Sequence, residues 1–448
     1  MEKQAKLNKN SKIFKGGMAL PKINIKKTIS LMLAVSVVAF AGCSQVPNSS
    51  NITPSNDVYS SSQPDESLPT DPENSISYTM NDKFRNSQLD FSVKMFKTAA
   101  ASDKGKNLLV SPLSANIALS MTANGASGNT LNEMQSVLNN EISINDSNNE
   151  FKNYLSYLSS TKELNYANSI WLKNDFSVNK EFLDINKNYF SSDVFSEPFD
   201  AATIKKINDW ASEKTNGIID NAIDDMSPAA IMYLINALSF DAKWENPYEN
   251  PKDISRQIFT SYSKEEKTIE MMCSDEYEYI ETKDATGFAK KYDGGKYSFI
   301  AVLPNQDVDI YDYVSSLSKE NINEIIAQKS NIEVKTFLPK FEYDYDAVLN
   351  STLKAIGVND AFNSNADFSN MVESKKNIGI FISEVLQKTH ISVDTEGTKA
   401  AAVTSVEMSK SAMPLDDPKT VKLDRPFVYM IVDNQNNMPV FIGTVVEL

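Results

Sequence analysis

The 448 residues suffice for one large domain or two ordinary ones with a substantial core, and 41% hydrophobic content with 10% aromatics is that of a globular protein. A formal charge of −15, from 59 acidic against 44 basic residues, argues against binding nucleic acid or an anionic lipid surface through basic patches. Two cysteines and one histidine are too few to assemble a Cys/His metal site.

The N-terminus reads as an export signal. The basic run KINIKK precedes TISLMLAVSVVAFAGC, an apolar stretch that ends in small residues before Cys43. Thr28 to Gly42 is short beside the ~20 apolar residues of a membrane span. AFAGC resembles a bacterial lipobox, with Phe40 where leucine is commoner, and the start is Met1 or Met18. The resemblance implies that residues 1–42 are a signal peptide and that Cys43 becomes the lipidated first mature residue. A plain secretory signal or an uncleaved anchor is the alternative. Cleavage would remove eight lysines and one glutamate, leaving 36 basic and 58 acidic residues and a net charge of −22. Only Cys273 would then remain as a thiol, so no intramolecular disulfide can form even in an oxidising compartment. Cys273 itself is expected to be a small, partly buried residue.

Residues 43–80 are rich in Ser, Pro and Asn and poor in apolar side chains, the composition of a segment that does not fold. As a flexible tether they would span ~30–35 Å root-mean-square, enough to hold a domain just clear of a membrane.

Residues 81–448 alternate helical and strand patterns. NSQLDFSVKMFKTAA sets Leu89, Val93 and Phe96 at helical spacing, with Ser87 as the expected cap. IKKINDWASEKTNG gathers Ile204, Ile207, Trp210 and Ala211 on one face and stops at Gly217. MYLINALSFDAKW, SFIAVLPN and IEVKTFLPKFEY are strand-like apolar runs bounded by turn residues. Gly294 and Gly295 in YDGGKYS read as a tight hairpin turn, being too isolated for a phosphate loop. RPFVYMIVDNQNNMPVFIGTVVEL predicts two strands around a polar turn from Asp433 to Asn437. The mixed order, without a regular βαβ repeat, points to the α+β class.

Catalytic chemistry is hard to find in this inventory. The only histidine, His390, lies in the alternating run VLQKTHISVD, where a structural, half-exposed role is expected rather than that of a Ser-His-Asp hydrolase. No acidic loop matches a calcium motif, and the abundant carboxylates show no local spacing of a glycosidase pair.

One segment, EGTKAAAVTSVEMSKSAMP at residues 396–414, fits neither helix nor strand cleanly. Read as a strand, it places Thr398, Ala400, Ala402, Thr404, Val406 and Met408 on one uncharged face. Lys399, Ala401, Val403, Ser405, Glu407 and Ser409 then share the other. A one-residue slip would bury Lys399 and Glu407, so the register is strongly specified. An ordinary surface loop, or a short helix on Ala400–Ala402, is the alternative.

EGTKAAAVT resembles the hinge of the serpin family. NLLVSPLSANIALSMTANGASGNTLNEM, INDWASEKTNGII, LINALSFDAKWENPY, LPKFEYDYDAVLNSTLKAIGVNDAF, ADFSNM, ISEVLQKTHISVDTEGT and DRPFVYMIVDNQNNMPVFIGTVV resemble further serpin segments, in the family's order. The likeness runs from about Asp82 to Leu448. It implies a large, central, mainly antiparallel sheet with additional sheets, about eight or nine helices and an exposed reactive-centre loop at about residues 396–420. It also implies a suicide inhibitor of serine proteases, neither an enzyme nor dependent on a cofactor. Its partner would be a protease held covalently, and its state a monomer.

In that reading the protease forms an acyl-enzyme on the loop, the cut loop inserts as a new strand, and the protease is dragged away and distorted before it deacylates. The resemblance assigns the hinge to Gly397, Thr398, Lys399, Ala400, Ala401, Ala402, Val403 and Thr404, small enough to enter quickly. Ser111, Ser114 and Asn236 match the polar cluster under the point where the sheet parts. Gln387 stands in that cluster where the family usually has histidine. Trp244 matches the tryptophan under the first insertion point. Counting from Gly397 at the usual family length places the reactive bond between Ser411 and Ala412, suited to subtilisin-like or elastase-like enzymes. A shift of one residue gives Lys410 and Ser411, a trypsin-like target. The expected location is the outer face of a bacterial membrane, through lipidated Cys43, or the medium. The competing reading is a non-inhibitory binding or scaffold protein on the same fold.

Overall fold

The computed structural model describes residues 77–448 except 141, 176, 228, 329, 374–378 and 399–418. Ser77–Met80, assigned by composition to the tether, belong to the body. Met80 is buried, its amide donates to Asn436 Oδ1, and the Tyr78 carbonyl accepts from Gln435 Nε2. Met80 joins the core and Tyr78 packs against it, which anchors the segment together with these hydrogen bonds.

The first helix, α1 (Asp82–Ser102), is capped by Asn81, whose side chain accepts from the amides of Lys83 and Phe84. The expected cap, Ser87, lies inside this helix instead, buried and donating to the Lys83 carbonyl. Phe84 extends the buried face of Gln88, Phe91 and Met95 by one turn, so the helix reaches back to a capping oxygen at Asn81.

Strand β1 (Leu108–Val110) is followed by α2 (Pro112–Ala123), α3 (Gly128–Leu138) and α4 (Ile144–Ser159). Every residue of α2 is buried, so the helix has no solvent face and runs through the interior. Then come β2 (Leu164–Lys173), α5 (Lys180–Phe190), β3 (Asp193–Glu197), α6 (Ala201–Lys214), β4 (Met232–Phe240) and β5 (Ala242–Lys243). Beyond the end of α6, Gly217 takes φ +77° and returns its amide to the Ser212 carbonyl, as its position in the sequence suggests.

The chain next forms β6 (Ile254–Thr260), β7 (Glu266–Glu281), β8 (Ala285–Lys291) and β9 (Tyr297–Pro304). Antiparallel β8 and β9 are joined through Gly294 and Gly295, both at positive φ, as the hairpin reading required. There follow α7 (Ile310–Ser316), α8 (Lys319–Ala327), β10 (Ser330–Pro339), β11 (Phe341–Val348), α9 (Asn350–Ala355), β12 (Glu384–Val393), β13 (Gly397–Thr398) and β14 (Lys419–Lys422). The chain closes with the predicted pair β15 (Phe427–Asp433) and β16 (Met438–Val445).

These strands build two sheets. A nine-stranded sheet runs β1-β16-β15-β9-β8-β7-β10-β14, with β6 on β7. A seven-stranded sheet runs β3-β2-β4-β12-β13-β5, with β11 on β12. The run IEVKTFLPKFEY therefore divides at Pro339-Lys340, β10 joining one sheet and β11 the other. One large core joins both sheets to α1 and α2. A second, smaller core lies where Ile207, Trp210 and Ala211 of α6 pack with Trp171, Tyr233 and Ile235 of the seven-stranded sheet.

Candidate functional site

The seven-stranded sheet has an unusual middle. Its neighbours β4 and β12 run parallel, and pair only from Tyr233↔Glu384 to Ala237↔Lys388. Beyond that zone the next strand beside β12 is β13, which is antiparallel both to β12, through Val393↔Thr398, and to β5, through Gly397↔Lys243 and Thr398↔Ala242. Since β5 follows β4 after one residue, β13 occupies one end of a seam between two parallel strands. Parallel pairing is slightly weaker per residue than antiparallel pairing, and each edge of this seam has the polarity that an antiparallel third strand needs.

Strand β12 alternates along its whole length. Val385, Gln387, Thr389, Ile391 and Val393 are buried, while Glu384, Leu386, Lys388, His390 and Ser392 are half-buried on the opposite face. Thr398, the partner of Val393, is likewise buried.

Beneath the paired zone, Ser111, Ser114, Asn236 and Gln387 meet in one buried cluster. Ser111 caps α2, accepting the Ser114 amide, and Pro112 fills the first helical position where no amide is needed. The Gln387 amide bridges two chain segments. Its Oε1 accepts from Ser111 N at 3.0 Å, and its Nε2 donates to the Ser111 carbonyl at 2.9 Å and to Asn236 Oδ1 at 3.3 Å. Ser114 Oγ donates to Asn236 Oδ1, and Asn236 Nδ2 reaches Asn168 Oδ1 at 2.6 Å. A side chain with both donor and acceptor is what this bridge requires, and it carries no charge to titrate.

The other end of the seam receives Asp394 to Thr398, the stretch whose last residues the resemblance assigns to the hinge. Trp244 is buried; its backbone amide donates to the Glu396 carbonyl and its indole Nε1 to the Asp394 carbonyl, both at 2.9 Å. Tyr248 N donates to the Thr395 carbonyl at 3.0 Å. Asp394 Oδ1 accepts from the amides of Glu396 and Gly397, folding the turn that leads into β13. Gly397 presses on β5 so closely that an added Cβ would lie 2.7 Å from Lys243 Cα and against the Ala242 carbonyl. Below the seat, Lys290 is buried with its Nζ 2.6 Å from Glu276 Oε1 and 4.5 Å from the centre of the Tyr248 ring.

Thus Gly397, Thr398 and Trp244 converge on one end of the seam, and Ser111, Ser114, Asn236 and Gln387 on its paired zone. Lys399, Ala400, Ala401, Ala402, Val403, Thr404, Lys410, Ser411, Ala412 and Cys43 lie outside the described residues. His390 stands on the half-buried face of β12, with Nδ1 2.7 Å from Asp344 Oδ1 of β11, in a cross-strand pair rather than a substrate cleft. Cys273 is half-buried, its Sγ 3.2 Å from Ser255 Oγ. Sequence reasoning missed Tyr248, Lys290 and Asp394. Only Asp394 had a local signal, an Asp placed to turn the chain before Glu396-Gly397.

Comparison with known proteins agrees with this geometry. A family model described as "Serpin (serine protease inhibitor)" matches residues 86–448. Intracellular coagulation inhibitor 2 of Tachypleus tridentatus is 30% identical over 359 residues, covering 77% of this chain and 87% of the relative. Human neuroserpin is 28% identical over 375 residues, covering 80% and 90%. Among solved structures, the thermophilic serpin tengpin in its native state is 43% identical with a TM-score of 0.78, covering 83% of this chain and 96% of that one. Its latent state scores 0.72 at 42% identity, covering 83% and 100%. The topology, the hinge seat and these matches lead to one conclusion: the chain belongs to the serpin family.

Proposed function

We propose that the protein is a suicide inhibitor of serine proteases that traps its target by drawing a cleaved surface loop into the seam between β4 and β12. The observation that carries the reading is β13, a strand already begun at the seam's end, antiparallel to both neighbours. Continuing its register past Thr398 on both sides brings residue 404 between Gln387 and Asn236, and residue 407 between Glu384 and Tyr233. Those are the pairs that already face each other across the closed seam. The sheet therefore needs only to widen, without sliding, to admit the strand.

The same register sends Thr398, Ala400, Ala402, Thr404 and Val406 to the buried face of β12. Lys399, Ala401, Val403, Ser405 and Glu407 go to its half-buried face. Thr404, polar among small and apolar neighbours, would arrive over the polar cluster of Gln387 and Asn236. Insertion of about a dozen residues exchanges a short parallel ladder for two antiparallel ones, a gain on the order of 10 kcal/mol from hydrogen bonds alone. The alanines let the hinge enter before water can resolve the acyl-enzyme. We place the reactive bond at Ser411–Ala412, with Lys410–Ser411 as the adjacent choice, and the protein outside the cell, tethered through Cys43 and working as a monomer.

Incubation with subtilisin and with trypsin, followed on a denaturing gel, tests this. A covalent band of summed mass and a released C-terminal peptide beginning at Ala412 or Ser411 are expected. Complete nicking by both proteases without any adduct would leave a non-inhibitory member of the family.

A further inference from the structure

The hinge seat contains a buried hydroxyl pair that the pairing of β13 with its neighbour strands does not by itself require. Tyr292 is fully buried, stacked on Trp244 with ring centroids 4.6 Å apart and edge-on to Phe240 at 4.9 Å. Its hydroxyl lies 2.6 Å from Thr398 Oγ1, and among the described residues it makes no other hydrogen bond. Desolvation holds the phenol well above its usual range, so it stays protonated and can donate. The Trp244 indole and the amides of Trp244 and Tyr248 hold the carbonyls of Asp394, Glu396 and Thr395, the residues ahead of the hinge. Among the described residues, Tyr292 is the one of these aromatic residues that hydrogen-bonds a hinge side chain.

We propose that the Tyr292–Thr398 hydroxyl pair is a latch that keeps the hinge seated in the seam of the uncleaved protein, which makes Tyr292 a positioning residue for loop insertion. The functional half of this inference rests on reading residues 396–420 as the reactive loop. Removing either hydroxyl leaves its partner buried and unpaired while the hinge is seated. Lifting the hinge lets water reach the survivor, so each loss favours release by about tenfold. Removing both hydroxyls leaves two apolar groups of nearly the same shape in contact, and the preference for the seated form returns. The Lys290–Glu276 pair beneath Trp244 and Tyr248 fixes the aromatic wall against which the latch closes.

A double-mutant cycle on the full-length protein tests the latch: Tyr292→Phe, Thr398→Val and the two together. The readout is hydrogen exchange at the amides of Trp244 and Tyr248, which donate to Glu396 and Thr395. Each single variant is expected to speed exchange there about tenfold while the amides of β15 stay protected. The double variant is expected to return toward wild type. Additive effects, or unmoved exchange at Trp244 and Tyr248, would overturn the latch. The same variants with subtilisin read its consequence, since released hinges should divert more inhibitor to plain cleavage. Coupled exchange with an unchanged ratio of adduct to nicked product would overturn the positioning role. Coupled exchange in a wild-type protein that forms no adduct would keep the latch and sink the inhibitor reading.

Discussion

Gly397→Ala probes the seam at its narrowest point. Gly397 does not occupy the left-handed region, so alanine is acceptable to the backbone and the perturbation is one of space. The new methyl would meet the Ala242 carbonyl and lie 2.7 Å from Lys243 Cα, both of them backbone groups that cannot rotate away. Either the seat deforms around the methyl, at about 1–3 kcal/mol for an overpacked site, or the hinge lifts. Lifting gives up the bond between Trp244 N and Glu396 and the contact of Thr398 with Tyr292, at about 1 kcal/mol each. Both routes destabilise the seated hinge by about 1–3 kcal/mol, a factor of roughly 5–150 in its population. In the proposed mechanism insertion starts at this contact, so a larger share of acyl-enzyme should deacylate first. The assay is titration of subtilisin with wild type and variant, measuring moles of inhibitor consumed per mole of protease trapped. Wild-type stoichiometry in Gly397→Ala would refute the claim that the strand enters past this contact.

Ala402→Arg places a charge on the face that the register directs to the core, beside Thr389; it should abolish adduct while cleavage continues, seen as a nicked band alone. Gln387→Ala removes the bridge to both backbone groups of Ser111 and leaves a buried amide unpaired, so the intact protein should lose about 1–3 kcal/mol in denaturant unfolding. Asp433 is fully buried; desolvation raises its pKa above 3.8 even though Tyr157, Asn436 and the Gln435 amide hydrogen-bond to it. The folded state therefore binds the proton more tightly than the unfolded one. The favourable contribution is full below pH 3.8 and is lost as pH climbs through the raised folded value. Relative to Asp433→Asn, wild type should gain stability as pH falls across that window; parallel melting-versus-pH curves would contradict it.

Local periodicity carried much of the fold. The alternation of β12 is visible in VLQKTHISV because one side of that strand meets the core and the other does not. The face of the hinge that should be buried follows from its charges, and Thr398 at least lies on that side. What stayed hidden depends on distant chain. Ser87 loses the cap to Asn81 because Phe84 finds Phe151 across the interior, 4.9 Å away ring to ring. Tyr292 looks like the end of an ordinary strand until the fold brings Thr398 to its hydroxyl. Lys290 reads as a surface charge in GFAKKYDGG, and only the packing of Trp244, Tyr248 and Glu276 shows it to be buried.

The central claim is that the uncut molecule holds a strand's worth of unspent pairing. Differential scanning calorimetry before and after a single nick in residues 396–420 measures this directly. The nicked protein, its loop then bonded on both sides between β4 and β12, is expected to melt at a markedly higher temperature than the intact one. Equal melting temperatures would mean that cutting releases nothing, and the trap would have no source of work.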